Sequence, residues 1–436
     1  MAEFLTKSVG LAIGMGLVLA SAPALAAPSD TLVYIVKRSD TLYDLSRKHL
    51  IGANAMKELR AANAVRIPER MPVGYRLSIP RHLLKFTPVA VRVQSFSGPV
   101  SAARNGQPVV VTKGLELPEG TTITTGSNAF LALSGSEGSR VSLPSNSRVT
   151  LGQARRYTLL NATDIELNVD RGKAEVQAAK QAPDSRFRVR TPVAVTAVRG
   201  TVFRAGYLEA SGTSASETIE GEVSVGSARA ELTVPAGFGA ATSASGEIAR
   251  EALLPAPALL DPAKVQTDAA VAFDFSPLSQ AKGYRMQVAR DAGFIDVLAE
   301  VQPNDARAEF SELRNGRFFV RAAGISGSGI LGLEETWSFR RQRVGLAADA
   351  GQSALPGGFR FTWQAEGEGK SLFRFQLFSA RQDALPLVDE AGLTQAEMTM
   401  TGLKPGVYRW RVGVIQTAED GSAEVWMPMQ KFTVGG

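Results

Sequence analysis

The sequence predicts a multidomain, mainly β protein with one small strand–helix–helix–strand module near its start. Three observations carry that prediction. From Val89 to about Ile248, short β-branched runs follow one another between Gly, Pro, Asn and Ser turns. Examples are Ala90-Val91-Arg92-Val93, Val109-Val110-Val111, Arg140-Val141-Ser142-Leu143 and Asp164-Ile165-Glu166-Leu167, and no helical period separates them, as in an all-β sandwich, barrel or solenoid. The last third reads as two copies of one unit about ninety residues long, the size of a small β-sandwich. Finally, 436 residues at 44% hydrophobic content supply several cores, so a single domain is not expected.

Met1 to Ala26 reads as a secretory signal peptide. Lys7 gives a weakly positive start, Val9 to Ala20 is the apolar run, and Ala24-Leu25-Ala26 is a small-residue cleavage site. The run is shorter than the roughly 20 residues of a transmembrane helix. No later segment approaches a membrane span. A soluble exported protein beginning near Ala27 is the expectation.

Residues 31–81 form the first module. Leu32-Val33-Tyr34-Ile35-Val36 alternates as a strand and ends at Lys37-Arg38-Ser39. Thr41 followed by Asp44 is a capping-box pattern that starts a helix. Leu42, Leu45 and His49 share a face of that helix. Asn54 is placed to cap a second helix, with Met56 and Leu59 inward and Asn63 near its end. Pro68, Pro72 and Gly74 make turns, and Tyr75 to Ile79 returns as a strand. The matches Tyr34-x-Val36, Asp40-Thr41-Leu42, Leu45, Leu59 with Asn63, and Pro72-x-Gly74-x-x-Leu77-x-Ile79-Pro80 make this stretch resemble a LysM domain. Ser39 stands where that family usually has Gly. The resemblance implies binding of N-acetylglucosamine-containing glycans such as peptidoglycan. Two loops would form the site, with Ser39, Asp40, Thr41 and Leu42 in one and Asn63, Val65, Arg66, Ile67 and Pro68 in the other. Loop backbone would pair with the acetamido group while Leu42, Val65, Ile67 and Pro68 cover apolar parts of the sugar. Against this, Leu42 and Ile67 are equally suited to be core in so small a module.

A basic linker, Arg81 to Thr87, leads into the β-rich region at 88–250. It contains Thr191-Pro192-Val193-Ala194-Val195-Thr196-Ala197-Val198-Arg199-Gly200-Thr201-Val202-Phe203 and, later, Glu220-Gly221-Glu222-Val223-Ser224-Val225. With Gly172-Lys173-Ala174 and Pro235-Ala236-Gly237, these resemble the FecR domain, an exported β fold, which implies a periplasmic setting. Gly200 marks a bulge or close backbone approach. Arg199 beside it is a clamp for a carboxylate or carbonyl or, as the better reading, a donor that ties strands. Arg186, Arg188 and Arg190 alternate with Phe187 and Val189, giving a half-buried strand with a basic outer face, read as solvated.

In the last third, Gly283-Tyr284-Arg285-Met286-Gln287-Val288 parallels Leu372-Phe373-Arg374-Phe375-Gln376-Leu377. Leu313-x-x-Gly316-x-Phe318-Phe319-Val320-Arg321 likewise parallels Leu403-x-x-Gly406-x-Tyr408-Arg409-Trp410-Arg411. Phe275 and Trp363 would point inward from early strands, and Trp337-Ser338-Phe339 and Lys431-Phe432 would begin closing strands. The two units, 257–342 and 346–436, resemble fibronectin type III-like domains. Leu254-Pro255-Ala256-Pro257 is the boundary before them.

The chain has no Cys, which excludes disulfides, thiolate nucleophiles and Cys-based metal sites. Its two His, His49 and His82, lack metal-pair spacing, so no metal or other cofactor is expected. A net charge of +6 spread over this length is no nucleic-acid footprint. No long helical period follows Ala62, as a lysozyme-like domain would need. The expected function is therefore non-catalytic: wall binding and scaffolding in the periplasm, with an envelope protein as a partner of the β domains. A periplasmic sensor or regulator is the alternative, and a wall hydrolase the weakest reading.

Overall fold

The computed structural model describes residues 30–135, 138–180, 182, 184–198, 200–311, 313–380, 385–419 and 421–435. The expected signal peptide and Arg199 lie outside the described residues. The protein is mainly β and divides into two units, one ending at Lys85 and one beginning at Phe86. No helix among the described residues is long and apolar enough to cross a membrane.

The first unit runs β1 (Thr31–Ile35), α1 (Leu42–His49), α2 (Ala55–Ala62) and β2 (Arg76–Pro80). The strands pair antiparallel with Tyr34 opposite Leu77. Alternation puts Leu32, Tyr34, Leu77 and Ile79 on the buried face, and Leu42, Leu45 and Leu59 of the helices are buried as well. Thr41 caps α1: its Oγ1 accepts from the Asp44 amide at 3.0 Å and donates to the Asp44 carboxylate at 2.9 Å. Two expectations fail in α2. Met56 faces solvent and Ala55 takes the inward position. Asn54 makes no side-chain cap bond. Arg81 to Thr87 does not begin as a free linker either. Leu83 and Leu84 are buried, and the Lys85 amide donates to His49 O at 2.7 Å.

The second unit opens with a flattened barrel of two sheets. One strand, Thr163–Gln177, belongs to both. Its first half pairs antiparallel with Arg148–Tyr157 and parallel with Arg186–Arg190; its second half pairs with Arg140–Leu143 and Val202–Leu208. Gly172 stands where the strand passes between sheets, at φ +73, and a Cβ there would lie 2.6 Å from Ser147 Cα. Only Gly fits that crossing. Residues of both sheets fill one core, in which the Phe187 and Phe203 rings meet edge to face at 6.4 Å. Of the runs read as strands, Val109-Val110-Val111 is corrected: the strand stops at Val109, and Val110 is 81% exposed.

The remainder holds two further cores. Around the first, Val271–Asp274 pairs with Arg307–Phe310, opposite a four-stranded sheet ordered Val297–Val301, Gly283–Ala289, Gly316–Ile325, Glu335–Arg341. The second lies between Val344–Gln352, Phe359–Gly367 and Glu397–Met400 on one side and a five-stranded sheet around Lys370–Ser379 and Gly406–Ala418 on the other. The repeat shows in the register. Met286 pairs with Ala322 in the first sandwich as Phe375 pairs with Val412 in the second. Phe275 and Trp363 are buried in the respective cores, where Trp363 stacks on Phe375.

Candidate functional site

The two loops singled out in the first unit come together. The Leu42 amide donates to Pro68 O at 2.9 Å, which ties the start of α1 to the end of the second loop. Capping explains the first loop: the Thr41 bond orders the chain just before the helix, and the turn at Lys37–Asp40 precedes it. Ser39 there adopts φ +74, the left-handed conformation for which Gly is suited. The second loop leaves α2 through Ala64, which also has positive φ (+50), with its amide bonded to Ala61 O as at a left-handed helix end.

Several of the candidate residues are occupied by the fold. Leu42 is fully buried, so it is core and not a sugar contact. Asp40 Oδ2 accepts from the Tyr34 hydroxyl and from the Lys37 amide, each at 2.7 Å. Burial, then the hydrogen bond to Asp40, then the Asp40 charge push the Tyr34 phenol up to about 12. Asn63 does not point to a ligand. Its amide donates to Leu59 O and Ser78 O and accepts from the Ser78 amide, stitching α2 to β2. Thr41 is spent on its cap. Val65 is half-buried, while Ser39, Arg66 and Ile67 are exposed, Ile67 by 59%. Ile67 is therefore not core, and together with half-buried Pro68 it offers the apolar surface of this end of the unit.

Two residues outside the predicted set shape the site. Arg60 donates from Nε to Val65 O and from Nη2 to Arg66 O, at 3.0 and 3.3 Å. The Tyr75 hydroxyl donates to Asn63 O at 2.7 Å. Both hold loop carbonyls, so the loop backbone is fixed by side chains from α2 and the approach to β2. A cation in the last turn of α2 was the available signal, because such groups satisfy carbonyls at a helix end. Burial, followed by Lys48 and Lys85, holds His49 below the usual histidine range.

In the barrel, Gly200 has φ +81, and a Cβ would come within 2.7 Å of Lys180 Cα, the close approach that its place in the sequence predicted. The arginine strand is a correction. Arg186 meets Asp164 at 2.6 Å, and Arg188 and Arg190 meet Glu166 at 3.1 and 3.4 Å, through the parallel pairing with Thr163–Gln177. Its basic face is a paired ladder and not a solvated row. Sequence alternation placed the arginines on one face but could not place the carboxylates beside them.

The FecR protein family model matches residues 121–224, which lie within the barrel. Among solved structures, a candidate anti-sigma factor from Parabacteroides distasonis is similar at 17% identity and TM-score 0.26, over 30% of this chain and 59% of that one. The chain thus spans under two thirds of that protein's length. A two-domain fibronectin type III segment of chicken tenascin is similar at 13% identity and TM-score 0.20, over 41% of this chain and 99% of the other. Fibronectin(III)-like modules of Clostridium thermocellum CbhA are similar at 12% identity and TM-score 0.21, over 41% and 94%. No curated protein matches the chain.

Proposed function

We propose that this chain is a non-catalytic protein of the cell envelope that acts as a sensor or regulator through its barrel. The match of the FecR family model to residues 121–224 carries this reading. Export to the periplasm and the absence of catalysis belong to the same proposal. In the producing cell, deleting the chain should change transcript levels of a defined gene set. Re-expression of the full chain should restore them, and a Gly200→Val chain should not. Transcripts that stay unchanged on deletion would end the regulator reading.

A second reading, compatible with the first, is that the N-terminal unit binds N-acetylglucosamine-containing glycan such as peptidoglycan. It is favoured by the Leu42–Pro68 bond that joins the two loops and by Ile67 standing exposed beside it. Insoluble peptidoglycan should sediment the full chain. Ile67→Asp should reduce retention by setting a solvated charge against an apolar sugar face. Because Ile67 is exposed, the variant should melt like the parent. Unchanged sedimentation of a folded Ile67→Asp chain would remove this site.

A further inference from the structure

The barrel and the first sandwich share a buried polar cluster flanked by two apolar patches. The barrel supplies Lys173 and Glu175 from Thr163–Gln177, Arg204 from Val202–Leu208, and Glu217 from Thr213–Glu220. The sandwich supplies Arg285 and Gln287 from Gly283–Ala289, Glu300 from Val297–Val301, Arg321 from Gly316–Ile325, and Glu334. Acid and base alternate across the boundary. Glu175 lies 2.6 Å from Arg285 and 3.1 Å from Arg321. Glu334 lies 2.7 Å from Arg285, 2.9 Å from Arg321 and 3.4 Å from Arg204. Lys173 pairs with Glu217, and Gln287 bridges Arg321 to Glu300. Arg204 also donates to Leu331 O and Gly332 O, while the Leu331 amide donates to Glu217. The side chains of Arg204 and Arg285 are each 4% exposed.

To one side Phe130 meets Ala289, Phe294 and Val297; to the other Ala215 meets Leu253 and Ile330. Such apolar contacts attract without direction and would tolerate sliding or rotation of one body on the other. The cluster would not. Any turn that parts Glu175 from Arg285 and Arg321 leaves the Glu175 carboxylate out of water without those partners, and leaves both arginines to share Glu334 alone. Desolvation meanwhile cancels most of what the pairs return, so a buried ionic cluster adds little to net stability. We propose that this cluster is an orientation key: it selects one angle between barrel and first sandwich, which then move as one body, and the apolar patches supply the adhesion. This inference stands on the interface alone and does not depend on the regulator reading.

The absence of Cys makes the test direct. Spin labels on the full chain at Ser101→Cys and Asn304→Cys, exposed positions on the barrel and on the sandwich, report the distance between the two. The parent should give one narrow distance distribution. Glu175→Leu combined with Arg321→Met removes one acid and one base, so the charge balance of the cluster is kept. That double variant should melt near the parent and show a broadened distribution, whereas either single change should lower the melting temperature. Phe130→Ala with Ile330→Ala should do the reverse, lowering the melting temperature while the peak stays narrow. A folded Glu175→Leu/Arg321→Met chain that keeps the narrow parental peak would overturn the proposal. So would a double variant that melts as low as the single ones or does not fold, because the cluster would then be a source of stability and not a key.

Discussion

Ser39 shows how a single backbone angle constrains a residue. A non-glycine residue in the left-handed region costs about 1–2 kcal/mol, and Ser39 holds φ +74 with its side chain exposed. Ser39→Gly should raise the stability of the N-terminal unit by ~1 kcal/mol, read as a higher urea midpoint. An unchanged midpoint would mean that the turn carries no strain. Tyr34 gives a second prediction. Its phenol is raised from 10.0 to about 12, so the bond to Asp40 stabilises the fold fully below pH 10 and is lost as pH climbs through 12. Ultraviolet titration should show a late-ionising phenol that is lost in Tyr34→Phe, and that variant should lose about 1 kcal/mol at neutral pH. Loss of an ordinary, early-ionising phenol instead would contradict the burial of this hydroxyl. Asn63 illustrates the limit of residue type as a guide. An Asn near a loop reads as a ligand contact, but here the bonds of its side chain go to Leu59 and Ser78.

At the level of elements, periodicity was the reliable signal and end points were not. The βααβ order of the first unit was legible because Thr41 caps, apolar spacing and turn residues agree. Met56 was misplaced because helical phase over eight residues lets Ala55 or Met56 face inward, and the smaller Ala55 fits there. The Val109–Val111 run failed for a different reason. β propensity only describes fitness for a pleated, half-buried surface, and Val110 has none to lie on. In the barrel, Gly200 should be intolerant. Gly200→Val would combine a left-handed φ with a clash against the Lys180 backbone, costing about 3 kcal/mol. Thermal melting of the full chain checks this. A normal melting temperature would show that the Lys180 segment gives way.

The whole second unit depends on contacts between elements far apart in sequence, and its acid response follows from them. Lys173, Glu175, Arg204, Glu217, Arg285, Glu300, Arg321 and Glu334 belong to one cluster linked pair by pair. Burial pushes Glu175 up, but Arg285, Arg321 and Arg204 outweigh it and hold it well below the usual carboxylate range; Arg321, Arg285 and Arg204 do the same for Glu334. Burial raises Glu300 and lowers Lys173, and in both it prevails over nearby opposite charge. For the two depressed carboxylates, the stabilising contribution is complete above the ordinary glutamate value of 4.5 and is lost as pH falls below it; the raised Glu300 acts in the opposite sense and at higher pH, its contribution being complete below 4.5 and lost as pH rises. Melting temperature should therefore decline below about pH 4.5, and more gently in Glu175→Gln than in the parent. Equal slopes would place the acid sensitivity elsewhere. The sequence by itself determined the mainly β class, the order of elements in the first unit, and the ninety-residue repeat seen in the Met286–Ala322 and Phe375–Val412 pairings. Each of these is written in local periodicity, turn residues and spacing, which act over a few neighbours along the chain. Tertiary structure alone decided that Leu42 is core, that Arg186 to Arg190 face carboxylates, and that Glu175 and Arg321 meet across 146 residues. Those outcomes depend on which strand lies beside which and which face is covered, and a lone charged residue in a strand carries no record of the partner that will neutralise it.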